Sequence, residues 1–252
     1  MTKKVPPKFY DSKYYYQQCE GFPEFFEGKI SKRFNPLYGL IGKLRNETVL
    51  DIGCGRGEIS SYCVQRGSKA YGIDYSKDAI KIAKKTFNKV NFKIMDASKL
   101  QFKDHFFDKI ILLDFVEHIY PKELLTILEE VKRVIKPNGI IIIHTPNLWF
   151  SRILQIVGYP FGYKESDLHV NLQSYFQLKN NLKVLNGDIK FHFIRRKNYF
   201  FEISVNIRKL NLSNLLVRII DYLFELNFIA KIIHSRPLAY FLEPDFWVTV
   251  KI

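Results

Sequence analysis

The sequence predicts an α/β fold built on a parallel sheet with helices covering both faces. Three observations carry this. From Val49 onward, short apolar runs alternate with stretches whose apolar residues recur at helical spacing. The runs Phe107–Leu113 and Gly139–His144 are apolar almost throughout, as strands buried on both faces should be. Three successive runs close on an acid, at Asp51, Asp74 and Asp96, where open α/β sheets bind ligands.

Residues 8–44 read as helical and are rich in aromatics, among them Tyr10, Tyr14, Tyr15 and Phe25. They either cap a ligand cleft or simply pack on the sheet. The first strand is Thr48–Ile52, followed by a helix over Glu58–Arg66. A second strand, Ala70–Asp74, leads to a helix over Ser76–Phe87, with Ser76 as its N-cap and Ala79, Ile80, Ile82 and Ala83 on its apolar face. A third strand covers Val90–Met95 and a fourth Phe107–Leu113. A helix over Pro121–Ile135 stops before the turn signal Pro137-Asn138-Gly139, which opens the fifth strand, Gly139–His144. The alternation then breaks. Residues 147–170 read as an irregular aromatic stretch, followed by a helix over Leu172–Leu185. Strand-like runs follow at Ile189–Ile194 and Tyr199–Ile207, then an apolar helical segment over 213–233 and a last strand over Phe246–Ile252.

A chain of 252 residues, 47% hydrophobic, suits one well-packed α/β domain with additions. Its expected parts are an N-terminal helical cap over 1–44, a ligand-binding core over 45–146, and a substrate-side region with the last strands over 147–252. The basic N-terminus lacks the apolar stretch of a secretory signal. Cys19, Cys54 and Cys63 have no metal-ligand spacing and read as reduced thiols of a cytoplasmic protein. The net charge of +14 allows two readings: a footprint for nucleic acid or an anionic membrane face, or a global lysine bias. The dispersal of the lysines favours the second.

The richest segment is Val49-Leu50-Asp51-Ile52-Gly53-Cys54-Gly55-Arg56-Gly57-Glu58, a buried strand running into a glycine turn that opens a helix. The alternating glycines allow close backbone approach to a ligand. A dinucleotide-binding turn has the spacing G-x-G-x-x-G, but here the third glycine comes one residue early and Glu58 stands in its place. Glu58 and Asp51 would repel a pyrophosphate and favour a zwitterionic ligand. This segment resembles motif I of the class I S-adenosylmethionine-dependent methyltransferases. The resemblance implies a Rossmann-like, seven-stranded, mostly parallel sheet whose last strand inserts antiparallel. It also implies S-adenosylmethionine as cofactor and S-adenosylhomocysteine as product.

In that family the turn, here Gly53, Cys54, Gly55 and Gly57, packs on the methionine part of the cofactor, and Asp51 helps hold its ammonium group. Asp74, within Gly72-Ile73-Asp74-Tyr75-Ser76, matches the ribose-binding acid, which places Tyr75 near the adenine. Asp96 and Ala97 match the pair that meets the adenine edge. The run Asp114-Phe115-Val116-Glu117-His118 resembles the Glu-His element of small-molecule methyltransferases, with Asp114 on the cofactor side. In a helix, Asp114, Glu117 and His118 would share one face. Such a face either holds a divalent cation, or presents His118 as a general base, or braces the pocket; bracing is favoured, and no metal is assigned. His144-Thr145-Pro146-Asn147 resembles a motif of relatives acting on quinone precursors, lipids or sugars. His169 is the leading candidate for a base or acceptor contact, against a role in loop packing.

The resemblance implies in-line methyl transfer, with O-methylation of a small-molecule or lipid-linked acceptor preferred. RNA or protein methylation is the alternative, supported only by charge, and a non-catalytic cofactor-binding partner is the second alternative. The segment 213–233 carries Arg218, Asp221, Glu225 and Lys231 as one polar stripe. It reads either as a helix covering the substrate pocket or as an interfacial helix making peripheral membrane contact.

Overall fold

A computed structural model describes residues 5–6, 9–18, 24–25, 27, 30–156, 168–194 and 235–252. The expected strand at 199–207, the helical segment at 213–233 and Cys19 lie outside the described residues.

The sheet has seven strands: β1 (Thr48–Ile52), β2 (Lys69–Asp74), β3 (Asn91–Ile94), β4 (Phe107–Leu113), β5 (Ile135–Pro146), β6 (Asp188–His192) and β7 (Asp245–Lys251). Their order is β3-β2-β1-β4-β5-β7-β6. The first five run parallel, and β7 is antiparallel to both of its neighbours, β5 and β6. The strand order reverses between β1 and β4, so the crevice of the sheet opens at their carboxyl ends.

The helices are α1 (Asn35–Leu40), α2 (Glu58–Gln65), α3 (Lys77–Thr86), α4 (Pro121–Val134), α5 (Leu148–Ile156), α6 (Tyr175–Leu182) and α7 (Ala239–Leu242). The period-2 alternation of strand side chains sends them to two cores. Leu50, Ile52, Ile110, Leu112, Ile141 and Ile143 meet α4 and α6 on one face. Val49, Ile111, Leu113, Ile142 and Trp247 meet α1 and α2 on the other. Ser76 caps α3 by accepting from the Ala79 N–H. Ser174 and Gln177 form a reciprocal capping box that starts α6 at Tyr175, three residues later than expected.

Several boundaries moved. Among the described residues the expected N-terminal helices break into short pieces, including a π-helical turn at Tyr14–Gln18, a 3-10 turn at Lys32–Phe34, and α1. β5 begins at Ile135, before the Pro-Asn-Gly turn, because Ile135 pairs with Phe107 across a register shift. The stretch read as irregular opens with α5. No helix among the described residues is long and apolar enough to cross a membrane.

Candidate active site

The glycine turn is pinned to the neighbouring strand, since Gly53 and Cys54 both donate to the Ile73 carbonyl. A Cβ on Gly53 would lie 2.6 Å from Phe115, and one on Gly57 only 2.4 Å from Phe92. These two glycines are demanded by packing. Gly55 differs: at φ +49 its Cβ would meet only Tyr15, at 3.5 Å, so this face of the turn is open.

The acids gather around that opening. Asp51 is buried and accepts from Ser60 Oγ at 2.6 Å. Burial raises its carboxyl to about 7, aided by Glu58 and Asp74 and opposed by the Ser60 bond. Asp74 accepts from the Gly55 N–H at 3.1 Å and the Ser76 N–H at 2.8 Å, linking the ends of β1 and β2. Burial raises it to about 6 against those bonds. A carboxylate offers about four acceptor sites, so Asp74 keeps capacity for a further donor. The Cys54 thiol is held well up by burial and by the nearby acids, so it stays protonated. Tyr75 donates its hydroxyl to the Val5 carbonyl at 3.0 Å, tying the cap to the site. Asp96 is exposed and accepts from the backbone and hydroxyl of Ser98 in a local turn, beside buried Ala97.

Beyond β4 the expected helix does not form. Asp114 is left-handed (φ +48) and is followed by a single 3-10 turn, Val116–His118. Its carboxylate is committed elsewhere: it pairs with Arg33 from the cap and takes a 2.6 Å bond from His144 Nδ1. His144 Nε2 lies 3.4 Å from Asp245 on β7. Burial alone would raise Asp114, yet the Arg33 and His144 charges hold it well below the usual carboxylate range. Burial would lower His144, and the two acids outweigh that and carry it to about 9. The result is a charged cluster of four residues from four separate elements. The expected shared face of Asp114, Glu117 and His118 is thereby replaced. Among the described residues, the His, Cys, Asp and Glu side chains grouped closely enough for a cation are instead Glu117, His118 and His169, with ligand atoms all within 4.8 Å of one another.

Those three sit together because the 168–173 segment docks on the 3-10 turn. Asn171 donates its backbone N–H to the Glu117 carbonyl at 3.0 Å. The His118 Nδ1 faces the Leu168 carbonyl at 3.1 Å, an oxygen that can only accept. This assigns the proton to Nδ1 and leaves Nε2 as the basic nitrogen. Burial lowers His118, and burial with the neighbouring His118 takes His169 to about 4, so both rings are neutral near pH 7. Their centroids are 4.8 Å apart, edge to face. Glu117 is fully buried and accepts from Thr145 Oγ1 at 2.9 Å, and burial with the Asp114 charge pushes it to about 8. Asn147 of the Thr-Pro-Asn run is a staple: its side-chain amide donates to the Tyr240 and Glu243 carbonyls, and its oxygen caps the Trp149 N–H.

Glu117 gives a stability prediction. Its pKa rises from 4.5 to about 8 on folding, so between those values the folded chain holds a proton that the unfolded chain has released. Stability therefore falls as pH climbs through that window. Glu117→Gln removes this contribution, so melting temperature should decline less between pH 5 and pH 8 than in the unsubstituted chain. An unchanged slope would refute a raised Glu117.

The site contains residues that local reading passed over: Ser60 on Asp51, Arg33 on Asp114, and Asp245 on His144. Register supplies one signal in retrospect. Leu113 pairs with His144, so the Asp114 turn lies directly beside that histidine. Another is the cap itself, where Arg56 donates to the Tyr15 carbonyl at 3.0 Å and lies over the Phe25 ring.

Known proteins resemble this chain in sequence and in fold. Residues 50–143 match a family model described as a methyltransferase domain. The chain is 35% identical over 120 residues to a ubiquinone biosynthesis O-methyltransferase of Pelagibacter ubique, covering 46% of this chain and 49% of that protein. It is 32% identical over 152 residues to an uncharacterized protein of Methanocaldococcus jannaschii, covering 56% of this chain and 57% of that protein. The chain thus spans about half the length of the curated relatives it matches. A solved S-adenosylmethionine-dependent methyltransferase from Archaeoglobus fulgidus superposes with a TM-score of 0.62 at 25% identity, covering 92% of this chain and 98% of that one. S-adenosylmethionine fits the residues present: an open glycine face, two buried acids for cationic and hydroxyl donors, and no phosphate-binding arrangement at the turn. With that glycine turn set between those acids at the reversal of a seven-stranded sheet, residues 50–143 carry a methyltransferase domain similar to those of class I S-adenosylmethionine-dependent enzymes.

Proposed function

We propose that this chain methylates a hydroxyl oxygen of a small-molecule or lipid-linked acceptor. The observation that carries the reading is His118, a neutral imidazole fixed by the Leu168 carbonyl so that Nε2 is basic, beside His169 and at the acceptor side of the cleft. When bound, the cofactor supplies an electrophilic methyl group on a positively charged sulfur. In this reading Asp51 receives its ammonium group, Asp74 its ribose hydroxyls, and Asp96 with Ala97 its adenine edge. The backbone of Gly53, Cys54, Gly55 and Gly57 lies along its methionine part, and Tyr75 braces the adenine side. Asp114 serves the cofactor side indirectly, by fixing the cap through Arg33. His118 Nε2 takes the acceptor's hydroxyl proton, and His169 orients the acceptor oxygen. Holding that oxygen in line at near-attack distance is the larger part of the work, and the base adds its share because a hydroxyl must lose a proton.

The likeness to ubiquinone biosynthesis O-methyltransferases supports the choice of oxygen. The test is transfer of labelled methyl from S-adenosylmethionine into cell extract, separated into lipid, small-molecule, RNA and protein fractions. Label in the first two supports the proposal. Label in RNA or protein overturns it and makes the +14 charge the informative feature. A second expectation concerns the ribose acid. Asp74→Ala leaves the ligand's hydroxyls unpaired and frees the Gly55 N–H, so calorimetric affinity for S-adenosylmethionine should fall about tenfold or more. Unchanged affinity would remove Asp74 from the site.

A further inference from the structure

The N-terminal segment brings one more polar group to the cleft. Tyr10 is only 7% exposed, yet its hydroxyl has no hydrogen-bond partner among the described residues. A buried hydroxyl left unpaired is costly, so such a group marks a place where something else supplies the partner. Its surroundings say what that is. The ring stands edge-on to Tyr14 at 5.3 Å, to Tyr75 at 5.7 Å and to His118 at 5.7 Å. The segment is held there by a 2.7 Å bond from Ser76 Oγ to the Tyr10 carbonyl.

Tyr10 therefore bridges the ribose-side strand end, Asp74–Tyr75, and the acceptor-side turn, Glu117–His118. In S-adenosylmethionine the sulfur is bonded to the ribose 5′ carbon, and its methyl must point at the acceptor. The atom that lies between a ribose acid and an acceptor base is thus the sulfonium. Resting on the methyltransferase reading above, we propose that Tyr10 recognises the sulfonium charge, with its hydroxyl oxygen and ring, grouped with Tyr14 and Tyr75, facing the cation. Aromatic groups attract onium cations through their ring faces, and an oxygen lone pair attracts the polarised methyl hydrogens. Burial keeps the phenol protonated, so it offers a dipole and no competing ion. The consequence is discrimination between the cofactor and its uncharged product, S-adenosylhomocysteine.

The experiment is calorimetric affinity for both ligands in the full chain and in two variants. Tyr10→Phe keeps every ring contact and removes only the oxygen. It should weaken S-adenosylmethionine about threefold and leave S-adenosylhomocysteine within twofold. Tyr10→Leu also removes the ring and should weaken the cofactor about tenfold more than the product, a ratio equivalent to about 1.4 kcal/mol. Equal losses for both ligands would overturn the proposal and leave Tyr10 a packing residue of the cap. No change in either variant would overturn it as well. Should Tyr10→Leu not fold, Tyr10→Phe decides alone. An unsubstituted chain that binds neither ligand fails at an earlier point, in the methyltransferase reading itself.

Discussion

Asp114→Asn should destabilise this protein by about 2–4 kcal/mol, because it leaves the charges of Arg33 and His144 without their shared partner. Asparagine is the informative substitution. Asp114 sits at φ +48, a conformation asparagine adopts readily, so the change removes charge without adding backbone strain. The effect should depend on pH with a definite sign. His144 is raised from 6.5 to about 9 on folding, so its contribution is complete below 6.5 and is lost as pH rises through 9. Asp114 is depressed below 3.8, so its contribution is present above that value and fades in stronger acid. The gap between the two proteins should therefore be widest between about pH 4 and 6.5 and narrow toward pH 9. Denaturant unfolding at pH 5.5 and pH 9 measures it. A gap of the same size at both values would mean that His144 is not held as a cation.

The second large effect separates two glycines that look alike in sequence. Gly57 lies at φ +88, and an added Cβ would come within 2.8 Å of two atoms of the Phe92 ring and 3.1 Å of Ala83. Phe92 is itself buried among Cys54, Ile80 and Ala83, so it has nowhere to turn. Gly57→Ala combines left-handed strain of about 1–2 kcal/mol with overpacking of about 1–3 kcal/mol. A loss of about 3 kcal/mol is expected, with a matching fall in melting temperature. Gly55→Ala carries only the strain, since its Cβ points at open space under Tyr15. It should fold with a loss of about 1 kcal/mol while binding S-adenosylmethionine much more weakly. Thermal melts and calorimetry on both variants check this. Equal melting temperatures would show that the helix α2 junction tolerates a side chain and that Phe92 does not set the turn.

The same contrast shows what could be read without coordinates. Thr48–Ile52 and Phe107–Leu113 coincide with β1 and β4, because a strand buried on both faces must be apolar at nearly every position. The positions of the glycine turn after β1 and of Asp74 at the end of β2 were legible as well, since left-handed backbone and close packing demand glycine at that turn. α5 was not legible: its aromatic Leu-Trp-Phe start resembles a loop, and its cap is Asn147, which the preceding strand places. The Arg33–Asp114–His144–Asp245 cluster was hidden for a different reason. Its members come from the cap, the end of β4, the end of β5 and the start of β7, and no local spacing joins them. Tyr10 was visible as an aromatic, but its unpaired hydroxyl is a property of the packed cap alone.

The placement of β7 has a consequence for the newborn chain. This strand fills a slot between β5 and β6, although both precede it on the ribosome. Among the described strands, until residues 245–251 emerge, the β5 edge is a row of unpaired amides beside an apolar face, and β6 has no sheet to join. His144 waits likewise for Asp245. The parallel half can assemble as it is made, but the molecule stays sticky along one seam until β7 is threaded in. Such a seam is where a holding chaperone would bind, and where premature termination would be most harmful.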